Sequence, residues 1–318
     1  MPALTTLSDD DLAAVDAVYR LGVRACRPLW AGTINSNFEL ETDAGRLFLR
    51  VNEGKSREEV AYEAALLEHL AAGGVPSPLP LATAGGARFA EIGGRLVTLF
   101  PWIPGEHAEP AGAEHTRALG AALAAMHLAG ASFPLRRESR YTRENIAARA
   151  EGLAARRDLP PPLAPVVALI RAELRELPAV RLPRGVIHGD LFPDNVLFHG
   201  DGLTLLDFEQ ASDGDLVYDL AVCLLSWCWD GADFRPGPSA ALIAGYASRR
   251  PLEATEETAL FDACRFAALR FTTTRLTDVE LDPRVSADLR RVKDWRDFDR
   301  RRARLDELGP AGLRSVLS

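Results

Sequence analysis

At 318 residues the chain is long enough for one large domain or for two lobes with separate cores. Its 47% hydrophobic and 26% charged residues are ordinary for a globular protein, and a net charge of -8 without a dense Lys/Arg block argues against a nucleic-acid partner. A polar, acidic start without a signal-peptide pattern, no apolar run of membrane length, and Cys26, Cys223, Cys228 and Cys264 at spacings that suit neither zinc nor a redox pair predict a cytoplasmic protein with free thiols and no membrane partner.

The first hundred residues read as β-rich. Phe38 to Thr42 alternates, Asp43-Ala44-Gly45 turns, and Leu47, Leu49 and Val51 alternate with Arg46, Phe48 and Arg50, which predicts a hairpin. Ser56-Arg57-Glu58-Glu59 has the form of a capping box, and Gly73-Gly74 stops the helix it opens. Strands are predicted near 89–92 and 95–100, followed by a pattern-breaking segment at 101–105. Leu119, Leu123 and Met126 mark a helix face, and 163–177 is a second helical stretch. A short β-like island follows at 186–188, 196–198 and 203–208, and the rest, from Leu216 to about Leu308, is mostly helical. The layout is a two-lobed α+β fold with a small β-rich first lobe (1–100), a hinge (101–105) and a larger, mainly helical second lobe (106–318).

The island carries the chemistry. His188-Gly189-Asp190-Leu191-Phe192-Pro193-Asp194-Asn195 precedes Leu205-Leu206-Asp207-Phe208-Glu209. Phosphoryl transfer needs a carboxylate near the acceptor hydroxyl, hard oxygen ligands for magnesium, and positive charge on the phosphates. Asp190, the amide of Asn195 five residues on, and Asp207 after an apolar run supply the first two requirements. A polar turn between two strands uses the same residue types, but D-x-x-x-x-N followed by apolar-apolar-Asp-Phe is far more specific.

This island resembles the catalytic loop and magnesium motif of the aminoglycoside phosphotransferase and homoserine kinase superfamily, the small-molecule relatives of protein kinases. The resemblance implies a protein kinase-like fold, ATP and Mg2+ as cofactors, Asp190 as catalytic base, and Asn195 and Asp207 as metal ligands. It implies that Glu209 assists a second magnesium or lines the substrate pocket. His188 reads either as a proton shuttle or as a brace for the loop, the role the resemblance favours. Asp219 in Tyr218-Asp219-Leu220-Ala221 looks like a second loop support, although a helix-start carboxylate has the same appearance. The first lobe is then the nucleotide-binding lobe, and the second the catalytic and substrate-binding one.

On the nucleotide side, the strand 47–51 offers Arg50 where such kinases usually carry Lys; the only lysines are Lys55 and Lys293. Arg50 keeps the charge and changes the geometry to a planar fork. Glu63, on an apolar helix stripe with Val60, Leu66 and Leu67, is its expected partner. The alternative is a solvent-facing Arg50 and a Glu63 at the helix edge. The phosphate-covering loop would be 31–37, with one glycine and with Asn35 and Ser36 as donors. Phe100, Trp102 and Ile103, within 99–103, are the expected adenine hinge, or else inter-lobe packing.

The runs Asn35-Ser36-Asn37-Phe38, 188–198, Leu224-Leu225-Ser226-Trp227-Cys228, Ala268-Leu269-Arg270-Phe271 and Arg275-Leu276-Thr277-Asp278 resemble the homoserine kinase branch over nearly the whole chain. That implies transfer from ATP to the hydroxyl of L-homoserine, in threonine biosynthesis. Another small amino alcohol such as choline, or an aminoglycoside, is the alternative acceptor, and a non-catalytic nucleotide-binding module is a third reading. The acidic run from Asp207 to Asp233 suits the acceptor's amine as one wall. Arg265, Arg270 and Arg275 are candidates to fork onto its carboxylate, Arg270 and Arg275 first and at most two of the three at helical spacing, with surface or inter-helix salt bridges as the alternative. Trp227 reads as core. A monomer or homodimer is expected.

Overall fold

In the computed structural model, which describes residues 5–29, 35–200 and 202–318, the period-two stretch folds as predicted. After helix α1 (Asp9–Tyr19), strands β1 (Val23–Leu29), β2 (Ser36–Thr42) and β3 (Gly45–Val51) run antiparallel, with the predicted turn between β2 and β3. Helix α2 (Arg57–Ala72) opens on the predicted capping box, in which Ser56 and Glu59 each satisfy the other's backbone N–H. Strands β4 (Ala90–Ile92) and β5 (Arg95–Pro101) complete a sheet of order β1-β2-β3-β5-β4.

Alternation decides which side chain faces what. Leu40, Leu49, Val97 and Leu99 point to one face and pack with Val15 and Tyr19 of α1. Arg50, one residue on from Leu49 and opposite Thr98, points to the other face and joins Val60, Glu63 and Leu67 of α2. Helix α1, strand β1 and two later elements are absent from the sequence-based expectation. The acidic first turn of α1 (Asp9, Asp10, Asp11), which the N-terminal dipole favours, reads as a merely polar stretch without the tertiary context.

The chain divides into two compact units. The first is Met1–Glu106 with Phe133–Leu135 and Leu197–Glu209, and the second is the remainder. The second begins with α3 (Ala113–Gly130), α4 (Arg143–Ala154), α5 (Ala164–Glu176) and β6 (Arg184–Ile187). Strands β7 (Val196–His199) and β8 (Gly202–Leu205) pair with each other and fall mostly in the first unit. Strand β9 (Ser212–Asp215) returns antiparallel to β6. Helices α6 (Leu216–Trp227), α7 (Pro236–Ala247), α8 (Ala254–Arg275), α9 (Ala287–Val292) and α10 (Arg296–Leu317) follow. The unpredicted members here are α4 and β9.

Helix α6 is apolar except at Asp219 and Ser226 and is buried along nearly its whole circumference, as such a helix must be. One core gathers Ile146 and Leu153 of α4, Val167, Ile170 and Leu174 of α5, and Leu269 of α8. Helices α3 and α7 cross on glycines. A Cβ on Gly120 would stand 2.2 Å from the Leu242 carbonyl oxygen, and one on Gly245 would stand 2.0 Å from that of Arg117. Gly245→Ala must therefore push two backbones apart. A loss of about 1–3 kcal/mol is expected, read as a lower urea midpoint with unchanged slope.

Candidate active site

The loop after β6 is fixed through its backbone. Asp219, fully buried at the start of α6, accepts from the N–H of His188 at 2.6 Å and from that of Gly189 at 2.7 Å. His127 of α3 places Nε2 3.1 Å from the same carboxylate and Nδ1 2.7 Å from the Tyr246 hydroxyl. That hydroxyl accepts from Arg250, which also pairs with buried Glu256 at 3.0 Å. An imidazole that donates from Nε2 and accepts at Nδ1 satisfies every member of this chain. Gly189 has φ +79, the left-handed region open to glycine, and turns the loop so that Asp190 follows a bonded pair of amides. Past Asp190, the Leu191 carbonyl accepts from the indole N–H of Trp227 at 2.9 Å, and Trp227 is core as predicted. The Asn195 amide nitrogen donates to the Asp190 carbonyl at 2.8 Å, leaving its amide oxygen for a further partner.

The Asp190 carboxylate itself is about one-third exposed and lies 3.5 Å from Arg270 of α8. Its surroundings push the carboxyl above the usual range, by burial first, against the pull of Arg270, His188 and Lys293. Arg270 is held between the rings of Tyr141 (3.9 Å) and Phe271 (3.7 Å). Arg275 donates to the Asp294 carbonyl at 2.7 Å, lies 3.4 Å from Asp297, and stacks over Phe298. Arg265, the third arginine of α8, pairs with Glu173. The Tyr218 hydroxyl is buried without a hydrogen-bond partner among the described residues.

A second charged centre lies within the first unit. Arg50 pairs with Glu63 at 2.7 Å, donates from Nε to Asn52 at 3.1 Å, reaches Asp207 at 3.3 Å and stacks on Phe100 at 5.1 Å. Lys55 lies 2.7 Å from Glu209 and 3.8 Å from Glu63. Asn35 donates to Glu209 at 2.6 Å, and Ser36 donates to Glu53 at 2.7 Å. Trp102 and Ile103 follow β5 half-buried, with Arg46 over the Trp102 ring at 4.7 Å. The remainder of the expected phosphate loop, 31–34, lies outside the described residues.

Three carboxylates (Glu63, Asp207, Glu209) here meet two cations (Arg50, Lys55), so one negative charge is left over. It appears on Asp207, which burial and the Glu209 carboxylate push up to about 7. Asp207 also has φ +58, a conformation rare outside glycine, and presents about two-fifths of its side chain to solvent. A surplus carboxylate, strained outward and short of positive charge, fits a hard divalent cation. Magnesium needs only one or two protein oxygens beside phosphate and water, and no cluster of three or more His, Cys, Asp or Glu side chains able to hold a metal occurs among the described residues.

One sequence expectation holds and another changes. Arg50 pairs with Glu63 as expected, and Lys55, which no motif singled out, stands four residues past the end of β3, just before the α2 capping box, and reaches Glu209. The acidic run 207–233 does not form one wall: Asp213 pairs with Arg136, Asp215 with Arg184 and Asp233 with Arg304, while Asp219 is locked in the loop. Asp213, Asp215 and Asp233 each found an arginine, an outcome that one-dimensional charge counting does not contain.

The model of the phosphotransferase enzyme family matches residues 25–252. The chain belongs to that family. Among curated phosphotransferase relatives, a homoserine kinase of Methylobacterium radiotolerans is 41% identical over 312 residues, 95% of each chain. A homoserine kinase of a Caulobacter species is 39% identical over 315 residues, covering 95% of this chain and 96% of the relative. Among solved structures, an amicoumacin kinase in complex with AMP-PNP, Ca2+ and Ami matches with a TM-score of 0.71 at 17% identity over 95% of both chains. A spectinomycin phosphotransferase bound to ADP and spectinomycin matches with 0.65 at 14% identity, over 96% of this chain and 95% of the other. These two likenesses establish the protein kinase-like fold of the phosphotransferase family. No helix among the described residues is long and apolar enough to cross a membrane.

Proposed function

We propose that the chain transfers the γ-phosphoryl group of ATP to the side-chain hydroxyl of L-homoserine, giving O-phospho-L-homoserine and ADP. The observation that carries the acceptor is the similarity to homoserine kinases at 36–41% identity, which for several of them spans 95% of the chain. In the reaction the acceptor oxygen bonds to the γ-phosphorus and the bond from that phosphorus to the β–γ bridging oxygen breaks. The electron pair leaves with ADP, and the acceptor proton passes to Asp190. Asp190 is suited to this by a loop whose backbone is held on Asp219 and Trp227, which lowers the cost of keeping the carboxylate in place. His188 and Asp219 act as supports of that loop.

Asp207 and Asn195 are the proposed magnesium ligands. Bound magnesium would neutralise phosphate charge and polarise the transferred group. Arg50 and Lys55 are the proposed phosphate cations, with Glu63 and Glu209 holding them in place and Asn35 holding Glu209. Ser36 stands beside them, bonded to Glu53, and Phe100, Trp102 and Ile103 are proposed to contact adenine. Arg270 and Arg275 are assigned to the acceptor side.

A panel of alcohols (L-homoserine, choline, 3-aminopropan-1-ol, kanamycin), with magnesium, ATP and an ADP-release readout, tests the acceptor. Homoserine is expected to give the highest kcat/KM; brisk turnover of choline or kanamycin with none of homoserine would defeat the assignment. On the nucleotide side, Arg50→Met and Lys55→Met are each expected to raise the KM for ATP about 10- to 100-fold with a smaller effect on the KM for the acceptor. A change confined to the acceptor constant would move both residues out of the nucleotide site.

A further inference from the structure

The contact between Asp190 and Arg270 is a poor ion pair. At 3.5 Å it is longer than the 2.7 Å of Arg50 with Glu63, although Arg270 is 3% exposed. Among the described residues no other carboxylate lies within pairing distance of this guanidinium, and its Nε is buried without a hydrogen-bond partner. Two aromatic faces, Tyr141 and Phe271, hold the group in place but supply no acceptor. A buried guanidinium is normally paired and hydrogen-bonded. Here it is held rigidly and left under-compensated, and Arg275 and Lys293 add positive charge to the same Asp190 surroundings.

The same contact is a handicap for a base. A guanidinium beside a carboxylate stabilises its ionised form and so weakens it as a proton acceptor. Both deficits are removed by one event, the arrival of an anion that takes Arg270. An acceptor whose hydroxyl rests on Asp190 brings such an anion if it carries a carboxylate about 5 Å away, as an amino acid with a terminal hydroxyl does. A guanidinium offers two parallel N–H donors to a carboxylate.

We propose that Arg270 is a charge switch: it rests on Asp190 and transfers to the carboxylate of the bound acceptor, so that the base is released only by substrates that carry a carboxylate. The inference rests on the acceptor proposed above and deepens it, because it makes the carboxylate a condition for catalysis as well as for binding. Amino alcohols lacking that group leave Arg270 on the base and are turned over slowly, even at saturation.

The test uses the purified full chain, ATP and magnesium, with L-homoserine and 3-aminopropan-1-ol as acceptors, on wild type and Arg270→Met. Loss of the carboxylate's partner is expected to lower kcat/KM for homoserine about 30- to 1000-fold, with the KM for ATP within about twofold. The distinctive signature is opposite in sign: kcat for 3-aminopropan-1-ol rises in Arg270→Met, because the base has been released by mutation. A merely structural arginine, or a simple carboxylate-binding one, predicts no such rise. A second measurement on wild type needs no variant. Propionate added to the 3-aminopropan-1-ol reaction supplies the missing carboxylate and is expected to raise turnover severalfold.

Equal losses on both acceptors without propionate activation would overturn the switch, as would a loss expressed chiefly in the KM for ATP. If Arg270→Met does not fold, the propionate result decides. A wild-type enzyme that phosphorylates homoserine but shows neither signature keeps its acceptor and loses the switch. One inert toward homoserine loses both.

Discussion

Asp190→Asn is expected to lower kcat about 100- to 10,000-fold, the range that a positioned general base contributes, while the KM for ATP stays within about threefold. The substitution keeps the shape and the loop. The amides of His188 and Gly189 remain on Asp219, the Leu191 carbonyl remains on Trp227, and the Asn195 amide bonds the backbone of residue 190 rather than its side chain. The loop should therefore persist; the group that loses its charged partner is Arg270, and a calorimetric melt beside the kinetics separates lost chemistry from lost fold. Retention of more than about a tenth of the activity would remove Asp190 from the role of base.

Asp207→Asn is expected to be comparably damaging, about 10^3-fold in kcat/KM, with a weakened magnesium dependence of nucleotide binding. Its effect on stability has the opposite sign. The Asp207 carboxyl is held up at about 7, against 3.8 ordinarily, by burial and by Glu209. Between those two values the folded chain keeps a proton that the unfolded chain has released. The contribution of this group to stability therefore falls as pH rises from about 4 to 7 and stays low above 7. Asparagine has no such proton to lose. Metal-free Asp207→Asn should melt higher than wild type at pH 8, with a smaller difference at pH 5. The same proton competes with magnesium, so binding of the magnesium nucleotide to wild type should weaken as pH drops from 8 to 6. A wild-type melting temperature that rises through that interval relative to the variant would contradict the charge surplus at this centre.

Much of the fold is legible because periodicity is local. The alternation of 38–51 and the Ser56 capping box each fix an element without help from distant residues. The side on which Arg50 and Glu63 lie follows from the same counting, since a residue beside Leu49 on a half-buried strand has only the opposite face to point to. What counting misses is set by tertiary context. Lys55 lies in no motif, and it becomes a candidate only when the turn after β3 carries it to Glu209, 154 residues away in sequence. His127 sits on an apolar helix face, where a histidine gives no signal, and its place on Asp219 depends on how α3 and α6 meet. The arginine-paired fate of Asp213, Asp215 and Asp233 is equally invisible, because their partners are Arg136, Arg184 and Arg304.

The scarcity of lysine has a practical consequence at the bench. Lysine side chains occur only at Lys55, bonded to Glu209, and at Lys293, whose charge acts on Asp190. An acylating reagent therefore has almost nothing else to label, and peptide mass spectra after brief treatment would report on each ligand separately. The proposed nucleotide site predicts that nucleotide shields Lys55, and the proposed acceptor site that the acceptor shields Lys293, without any engineered probe.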